Sequence, residues 1–166
     1  MNNGILTRFV IGKMLEEIRN SSINFDECLE KYLIKYSITD ENKKIIYNIT
    51  LTTMRNIFII EQILNYFIPK INKNNFSYYL IISGVTQICF LNFKNYAVIN
   101  SSCEAFKYYK KSKEVNFINA VLRNVDRNKN LIIKSSWDKP KYPHWFKNNI
   151  FNIPSKKRKA LYNSLL

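Results

Sequence analysis

Turn-forming residues are scarce in this chain, which has only 3 glycines and 4 prolines among its 166 residues. β-Sandwiches and β-barrels need many tight turns, and glycine and proline supply the backbone angles of such turns. Their scarcity therefore favours long helices joined by short polar loops. Apolar residues make up 46% of the chain and include 11 phenylalanines and 11 tyrosines. That content is enough for the core of one domain of ordinary size.

Apolar residues recur at the three- and four-residue spacing of helices along most of the chain. Six helical segments are expected, at residues 5–20, 25–36, 39–69, 76–92, 96–110 and 115–128, with a break in the long third one near Arg55. The fourth segment is apolar on nearly all sides, which predicts a central helix that is buried all round. Gly84 in its middle lowers the helix propensity, so close packing against another helix is expected there.

Three amide side chains, those of Gln87, Asn100 and Asn119, are interpreted as structural. An amide on a buried helix must find hydrogen-bond partners, and Asn100 is expected to face the neighbouring helices. Tyr109 belongs to the inward-facing stripe of the fifth segment.

The positive charge is concentrated in the second part of the chain. Residues 1–61 hold 8 Lys/Arg and 8 Asp/Glu, whereas residues 62–166 hold 18 Lys/Arg and 4 Asp/Glu, which accounts for the whole net charge of +14. Such asymmetry indicates a polyanionic partner, because basic side chains displace counterions from phosphates. The alternative explanation is an AT-rich genome, which raises the content of lysine, asparagine and isoleucine.

Several classes of protein are not expected from this composition. Cys28, Cys89 and Cys103 are widely spaced and form no Cys-x-x-Cys pair, a pattern typical of reduced thiols in a cytoplasmic protein. Polar residues interrupt the N-terminal apolar run, and no stretch approaches the roughly 18 apolar residues of a membrane span, so neither a secretory signal nor membrane insertion is expected. His144 is the only histidine, so no metal site is expected either.

Three motifs follow one another in the middle of the chain: LIISGVTQICFL at 80–91, YAVINSSCEAFK at 96–107 and NFINAVLRNVDR at 116–127. Together they resemble the signature of the NusB family: an apolar helix with an inner Gly and Gln, a helix opening on an aliphatic-Asn motif, and a helix carrying Asn-Ala-Val-Leu-Arg. The resemblance covers about residues 5–128. It implies an all-α, NusB-like helical bundle of six to seven helices that binds RNA.

Within that family, the sequence is most similar to the N-terminal domain of rRNA cytosine-C5 methyltransferases of the RsmB or Sun type. The similarity rests on NAVLR at 119–123, followed by a polar linker at 128–143 and YPHWF at 142–146. It implies an RNA-binding domain at 1–128 and, at 129–166, a linker with short C-terminal helices. A methyltransferase domain is expected to begin about where this sequence ends. Gly12, Asn42 and Thr52 stand where Ala, Asp and Gly are usual, which indicates a divergent member.

The chain is expected to be non-catalytic by itself. In the methyltransferases the nucleophilic cysteine follows a proline, whereas Cys28, Cys89 and Cys103 follow Glu27, Ile88 and Ser102. The three glycines are not clustered, so no S-adenosylmethionine loop and no other cofactor is expected. The expected role is to assist rRNA recognition by a methyltransferase domain.

Basic and aromatic residues on the predicted helices are the candidate RNA contacts. The candidates are Arg8, Lys13, Arg55, Lys107, Tyr108, Lys110, Lys111, Lys113, Arg123 and Arg127. Lys107, Lys110 and Lys111 are expected to share one helical face, from which they can follow an RNA backbone. The alternative for the lysines is a solvated helix end, and for Arg123 a structural anchor to neighbouring helices.

Two other functions remain open at the level of the sequence. One is a free-standing NusB-type transcription antitermination factor that binds leader RNA together with a small-subunit ribosomal protein. The NAVLR form and the YPHWF segment argue against it. The other is a helical interaction module whose basic surface engages an acidic protein or a membrane face.

Overall fold

The computed structural model describes residues 3–21, 23–110, 112–137 and residue 157 of the chain. This part of the chain forms seven α-helices and contains no strand. The helices are α1 (Asn3–Asn20), α2 (Phe25–Lys35), α3 (Asp40–Arg55), α4 (Ile57–Phe67), α5 (Phe76–Cys89), α6 (Asn95–Tyr109) and α7 (Glu114–Trp137). The prediction of an all-α bundle with six to seven helices is therefore confirmed.

Helix α5 lies at the centre of the molecule, because it packs against α1, α3, α4, α6 and α7. Every residue of α5 is buried, as the apolar character of the segment predicts. At Gly84 the helix approaches α7 closely, since an added Cβ atom would lie 2.7 Å from Leu122 Cδ2. A Cβ atom on Gly12 of α1 would lie 2.9 Å from Phe76 Cε2. The close packing predicted at Gly84 is confirmed, and a second close approach joins α1 to α5.

The long third segment is divided at Asn56, in agreement with the break predicted near Arg55. Asn56 has φ −105° and ψ 13°, and its side-chain amide donates a 2.9 Å hydrogen bond to the carbonyl oxygen of Thr52. The same carbonyl oxygen also accepts the backbone N–H of Asn56 at 3.1 Å, so Asn56 holds the last turn of α3 through both its backbone and its side chain. The interruption allows α3 to pack on α1 and α4 to pack on α7.

The last helix is longer than the sequence pattern predicts. Helix α7 extends to Trp137, whereas the pattern predicts a helix end near 128 and a linker from Asn128 onward. The prediction is wrong as far as Trp137, because polarity alone does not end a helix and the first strong helix breaker after Glu114 is Pro140. The side chain of Asn128 even donates a 2.8 Å hydrogen bond to the carbonyl oxygen of Asn124 within the helix.

Two side chains of α6 are more exposed than their predicted directions imply. Tyr109 is 48% exposed because it is the last residue of the helix, although its ring still contacts Phe76 at a centroid distance of 4.6 Å. Asn100 is exposed and borders two surface depressions instead of packing against neighbouring helices. The inward direction predicted for Asn100 is therefore wrong, whereas Tyr109 is half-exposed but still packs its ring on buried residues.

Some predicted features lie outside the described residues. These are Lys111, the YPHWF segment with His144, and the short C-terminal helices apart from Lys157, whose side chain is exposed. The helical extension and the division of the chain at residue 128 stay predictions. None of the helices in the described part combines the length and the hydropathy needed to cross a membrane.

Candidate nucleic-acid interface

A groove lies between α6 and α7, which run antiparallel to each other. Near the end of α6, the Cys103 thiol donates to the carbonyl oxygen of Val115 at 3.8 Å, while at the start of α6 the Asn95 amide donates to the carboxylate of Asp126. This α6–α7 groove encloses about 440 Å³. Its polar lining consists of Tyr96, Asn100, Glu104, Lys107, Asn116, Asn119, Arg123 and Asp126.

Two predicted RNA contacts, Lys107 and Arg123, line the groove from opposite helices. Lys107 Nζ lies 2.6 Å from the carboxylate of Glu104, and this hydrogen bond raises the pKa of Lys107. Arg123 Nε donates a 2.9 Å hydrogen bond to the amide oxygen of Asn119 on the same helix. Arg123 is exposed and bonds to no neighbouring helix within the described residues, so its placement agrees better with a ligand contact than with a structural anchor.

A second depression, the Arg8 pocket, lies between α1 and α6 and encloses about 260 Å³. Arg8 contributes from α1, and Tyr96, Asn100 and Ser101 contribute from α6. Tyr96 and Asn100 also line the α6–α7 groove. The two depressions therefore share these two side chains, and together we call them the recess.

The guanidinium of Arg8 is a buried cation in this pocket. The residue is only 9% exposed, its Nη1 donates a long 3.4 Å hydrogen bond to the carbonyl oxygen of Gly4, and its Nε has no hydrogen-bond partner in the described structure. Burial lowers the pKa of Arg8, but an arginine stays protonated in proteins. No carboxylate within the described residues pairs with it. Since a buried charge without a counter-ion is unfavourable, the pocket favours an anionic ligand.

The connection between α6 and α7 carries exposed lysines. Lys110 and Lys113 are exposed, and neither takes part in an ion pair among the described residues. Lys110 has extended backbone angles, φ −158° and ψ 127°, because α6 ends at Tyr109. The prediction that Lys110 shares one helical face with Lys107 is therefore wrong, and Lys111 lies outside the described residues. Lys110 instead lies in the turn that closes one end of the two-helix pair.

Tyr108 and Arg127 are accessible on α6 and α7 but line neither depression. Tyr108 is 60% exposed, and its ring contacts Phe9 of α1 edge to face at a centroid distance of 5.1 Å. That contact fixes the ring while leaving much of its surface free. Arg127 is exposed on α7, one turn after Arg123, without an ion pair among the described residues.

Lys13 is already engaged inside the protein. Its Nζ lies 2.7 Å from the carboxylate of Glu16 and 4.4 Å and 4.3 Å from the ring centroids of Phe76 and Tyr109. An ammonium with these contacts gains less from a phosphate than a free one does. The structure therefore brings Lys13 close to α6 but gives it an internal role.

Arg55 does not join the recess. The preceding residue, Met54, lines a separate apolar depression together with Leu15 and Ile18 of α1. Arg8 precedes Leu15 and Ile18 by seven and ten residues on α1, which corresponds to roughly 10–15 Å along the helix. The expectation that Arg55 lies with the other candidates is therefore wrong, because α3 places it toward the opposite end of α1.

Sequence reasoning missed Tyr96 and Asn116 and assigned Asn100 to the interior. A signal was present, since Tyr96, Asn100 and Lys107 are four and seven residues apart and therefore share one helical face. The polar face of α6 continues across the groove onto Asn116 and Asn119 of α7. Only the pairing of the two helices shows that these residues border one recess.

The three thiols are not arranged for catalysis. Cys28, Cys89 and Cys103 are buried, and burial raises the pKa of each, to about 11 for Cys28 and Cys89. A thiol with a raised pKa is a poor nucleophile at neutral pH. In the described segments, no three His, Cys, Asp or Glu side chains are grouped in a way that suits a metal ion.

Comparison with protein families identifies the family to which the chain is similar. The model of the NusB family matches residues 6–127, which include most of α1, all of α2 to α6 and the first part of α7. No curated protein matches the chain.

Proposed function

Because this chain belongs to the NusB family, we propose that it is an RNA-binding accessory domain that helps a cytosine-C5 rRNA methyltransferase to hold its substrate. Membership of the family supports a general function in RNA binding, of the kind that transcription antitermination factors have. The NusB domain is a non-catalytic RNA-binding fold, and the buried thiols described above agree with a role in binding. We place the protein in the cytoplasm, where rRNA is made and modified.

The observation that carries the proposal is the set of unpaired cations around the α6–α7 pair. Arg8 has a buried charge without a carboxylate, and Lys110, Lys113 and Arg127 are exposed without ion pairs among the described residues. Exposed lysines without ion pairs also occur elsewhere among the described residues, as at Lys43 and Lys44 of α3, so the buried charge of Arg8 is what distinguishes this region. A phosphate backbone that crosses this region would neutralise charges that the protein itself leaves uncompensated.

The link to a methyltransferase rests on sequence. NAVLR at 119–123 and YPHWF at 142–146 resemble the N-terminal domain of rRNA cytosine-C5 methyltransferases of the RsmB or Sun type. Helix α7, which carries NAVLR, continues beyond residue 127, where the match to the family model ends. In this proposal the recess binds the same rRNA molecule that a catalytic domain methylates.

RNA binding is tested by neutralising the lysines of the α6–α7 connection. For the double variant Lys110→Gln/Lys113→Gln we expect weaker binding of single-stranded rRNA fragments. The slope of the logarithm of the binding constant against the logarithm of the salt concentration should become shallower by about 1.4, since each phosphate contact contributes roughly 0.7 to it. The matched control is Lys43→Gln/Lys44→Gln, which removes two exposed lysines from α3, a helix that packs mainly on α1, α5 and α4. Equal losses in both variants, or no binding by the unchanged protein at low salt, would reject the proposal.

The choice of partner is tested separately. The chain is added to a methyltransferase catalytic domain that acts on small-subunit rRNA, and the rate of methyl transfer at limiting rRNA is expected to rise. A stoichiometric complex with a small-subunit ribosomal protein, combined with an unchanged rate of methyl transfer, would favour the free-standing antitermination factor instead.

A further inference from the structure

Tyr96 occupies a position that the packing of the protein does not explain. It is 75% exposed, lies in the first turn of α6 and lines both the α6–α7 groove and the Arg8 pocket. An exposed aromatic ring beside a polar recess offers a surface on which a nucleobase can stack. The groove volume of about 440 Å³ lies within the range of small-ligand pockets.

The polar groups around Tyr96 are of two kinds. The carboxylates are engaged within the protein, because Glu104 bonds to Lys107 and one oxygen of Asp126 accepts a hydrogen bond from Asn95.

The amides are largely free. The side chains of Asn100 and Asn116 make no hydrogen bond among the described residues, and Asn119 uses its oxygen to hold Arg123 Nε while its nitrogen stays without a partner there. The groove therefore offers amide groups and the outer nitrogens of one oriented guanidinium.

We propose, on the basis of the RNA-binding function above, that the α6–α7 groove binds one unstacked purine of a single-stranded RNA. The base stacks on Tyr96, and its edge meets the amides of Asn100 and Asn119 and the guanidinium of Arg123. A phosphate next to that base lies over the adjoining Arg8 pocket. The protein therefore reads base identity at one position and follows the RNA backbone elsewhere.

The choice of a purine follows from the side chains that are free. Asparagine can form two hydrogen bonds with the N6 and N7 atoms of adenine, and arginine can do so with the O6 and N7 atoms of guanine. Cytosine would need a carboxylate to accept from its N4 amino group, and in this groove Glu104 is held by Lys107 and one oxygen of Asp126 by Asn95. Uracil lacks both the larger stacking surface and the N7 acceptor, so an oligouridine should gain only the backbone contacts.

The experiment compares two fluorescent probes on the complete chain. One probe is a short oligouridine, and the other is the same oligouridine with a single central adenosine or guanosine. We expect the purine-containing probe to bind about tenfold more tightly, and Tyr96→Ala to remove this preference while Tyr96→Phe keeps it. The matched control is Tyr66→Ala, which removes a similarly exposed tyrosine from α4 and should leave the preference unchanged.

A second pair of variants tests the edge contacts. Asn100→Ala is expected to reduce the purine preference several-fold, whereas Asn65→Ala, at an exposed asparagine of α4, should not. Equal affinity of the unchanged protein for the two probes would overturn the inference and leave the proposed RNA binding intact. The same holds for a Tyr96→Ala variant that weakens both probes equally. Failure of the unchanged protein to bind either probe would overturn both.

Discussion

Replacing Arg8 by methionine should affect stability and RNA binding in opposite directions. The substitution keeps an unbranched apolar stem in the space between α1 and α6 but removes the guanidinium. In the free protein that guanidinium is buried, and its contacts are weak: a 3.4 Å hydrogen bond to Gly4 and a 5.7 Å approach to the ring of Phe93. These contacts contribute about 1 kcal/mol in total, whereas burial of an ion costs several kcal/mol.

The free energy of unfolding should therefore rise in Arg8→Met, by about 1–2 kcal/mol, when it is measured by urea denaturation. The affinity for single-stranded RNA should fall, because a hydrogen bond between charged groups contributes about 1.5–3 kcal/mol, which corresponds to a loss of about 10- to 100-fold. The slope of the logarithm of the RNA-binding constant against the logarithm of the salt concentration should become shallower by about 0.7, as expected for the loss of one phosphate contact. Fluorescence anisotropy with a salt titration measures both quantities.

Arg55→Met serves as the control, since Arg55 lies toward the opposite end of α1 from the Arg8 pocket. This variant should leave the RNA affinity nearly unchanged. The reasoning is refuted if Arg8→Met destabilises the protein while its RNA affinity stays at the level of the unchanged protein. In that case the guanidinium would be a structural element, and the pocket would not favour an anion.

Two further predictions concern the core. Gly84→Ala should lower the free energy of unfolding by about 1 kcal/mol, because overpacking against Leu122 outweighs the gain in helix propensity. In a Leu122→Ala background the same change should be stabilising, and a destabilising effect there would contradict the steric explanation. The free energy of unfolding should also fall as the pH rises from about 9 to about 11. Burial raises the pKa of the Cys28 and Cys89 thiols from 9.0 to about 11, so these thiols lose their protons at a lower pH in the unfolded chain than in the folded protein. A urea midpoint that falls less steeply in Cys28→Ala/Cys89→Ala than in the unchanged protein would support this, and identical slopes would contradict it.

The features that the sequence predicted well are those that depend on local pattern. The apolar run at 76–92 predicted the buried helix α5, and Gly84 predicted its close approach to α7, because both follow from the composition of a single helix. The break between α3 and α4 was also predicted, and it occurs one residue after Arg55.

The features that were missed depend on how separate helices pair. Tyr96 and Asn116 border one recess only because α6 and α7 run antiparallel, which the spacing within either helix does not show. Arg55 was grouped with Arg8 on the expectation that the first and third helices pack together; α1 and α3 do pack together, but their alignment places the two residues apart. The length of α7 was underestimated because a polar stretch was taken for the end of a helix, in the absence of a proline or glycine before Pro140.

The central position of α5 determines how this chain can fold during synthesis. Its partners α1 and α7 come from opposite ends of the described sequence, so the apolar surface of α5 that faces α7 has no cover until the segment around Leu122 has been synthesised. A nascent chain that already contains α1 to α6 therefore exposes the apolar surface of α5 that α7 later covers. Chaperones bind exposed apolar surfaces of this kind, and such surfaces also lead to aggregation. Chain release before α7 is complete should accordingly yield an insoluble fragment and not a smaller folded domain.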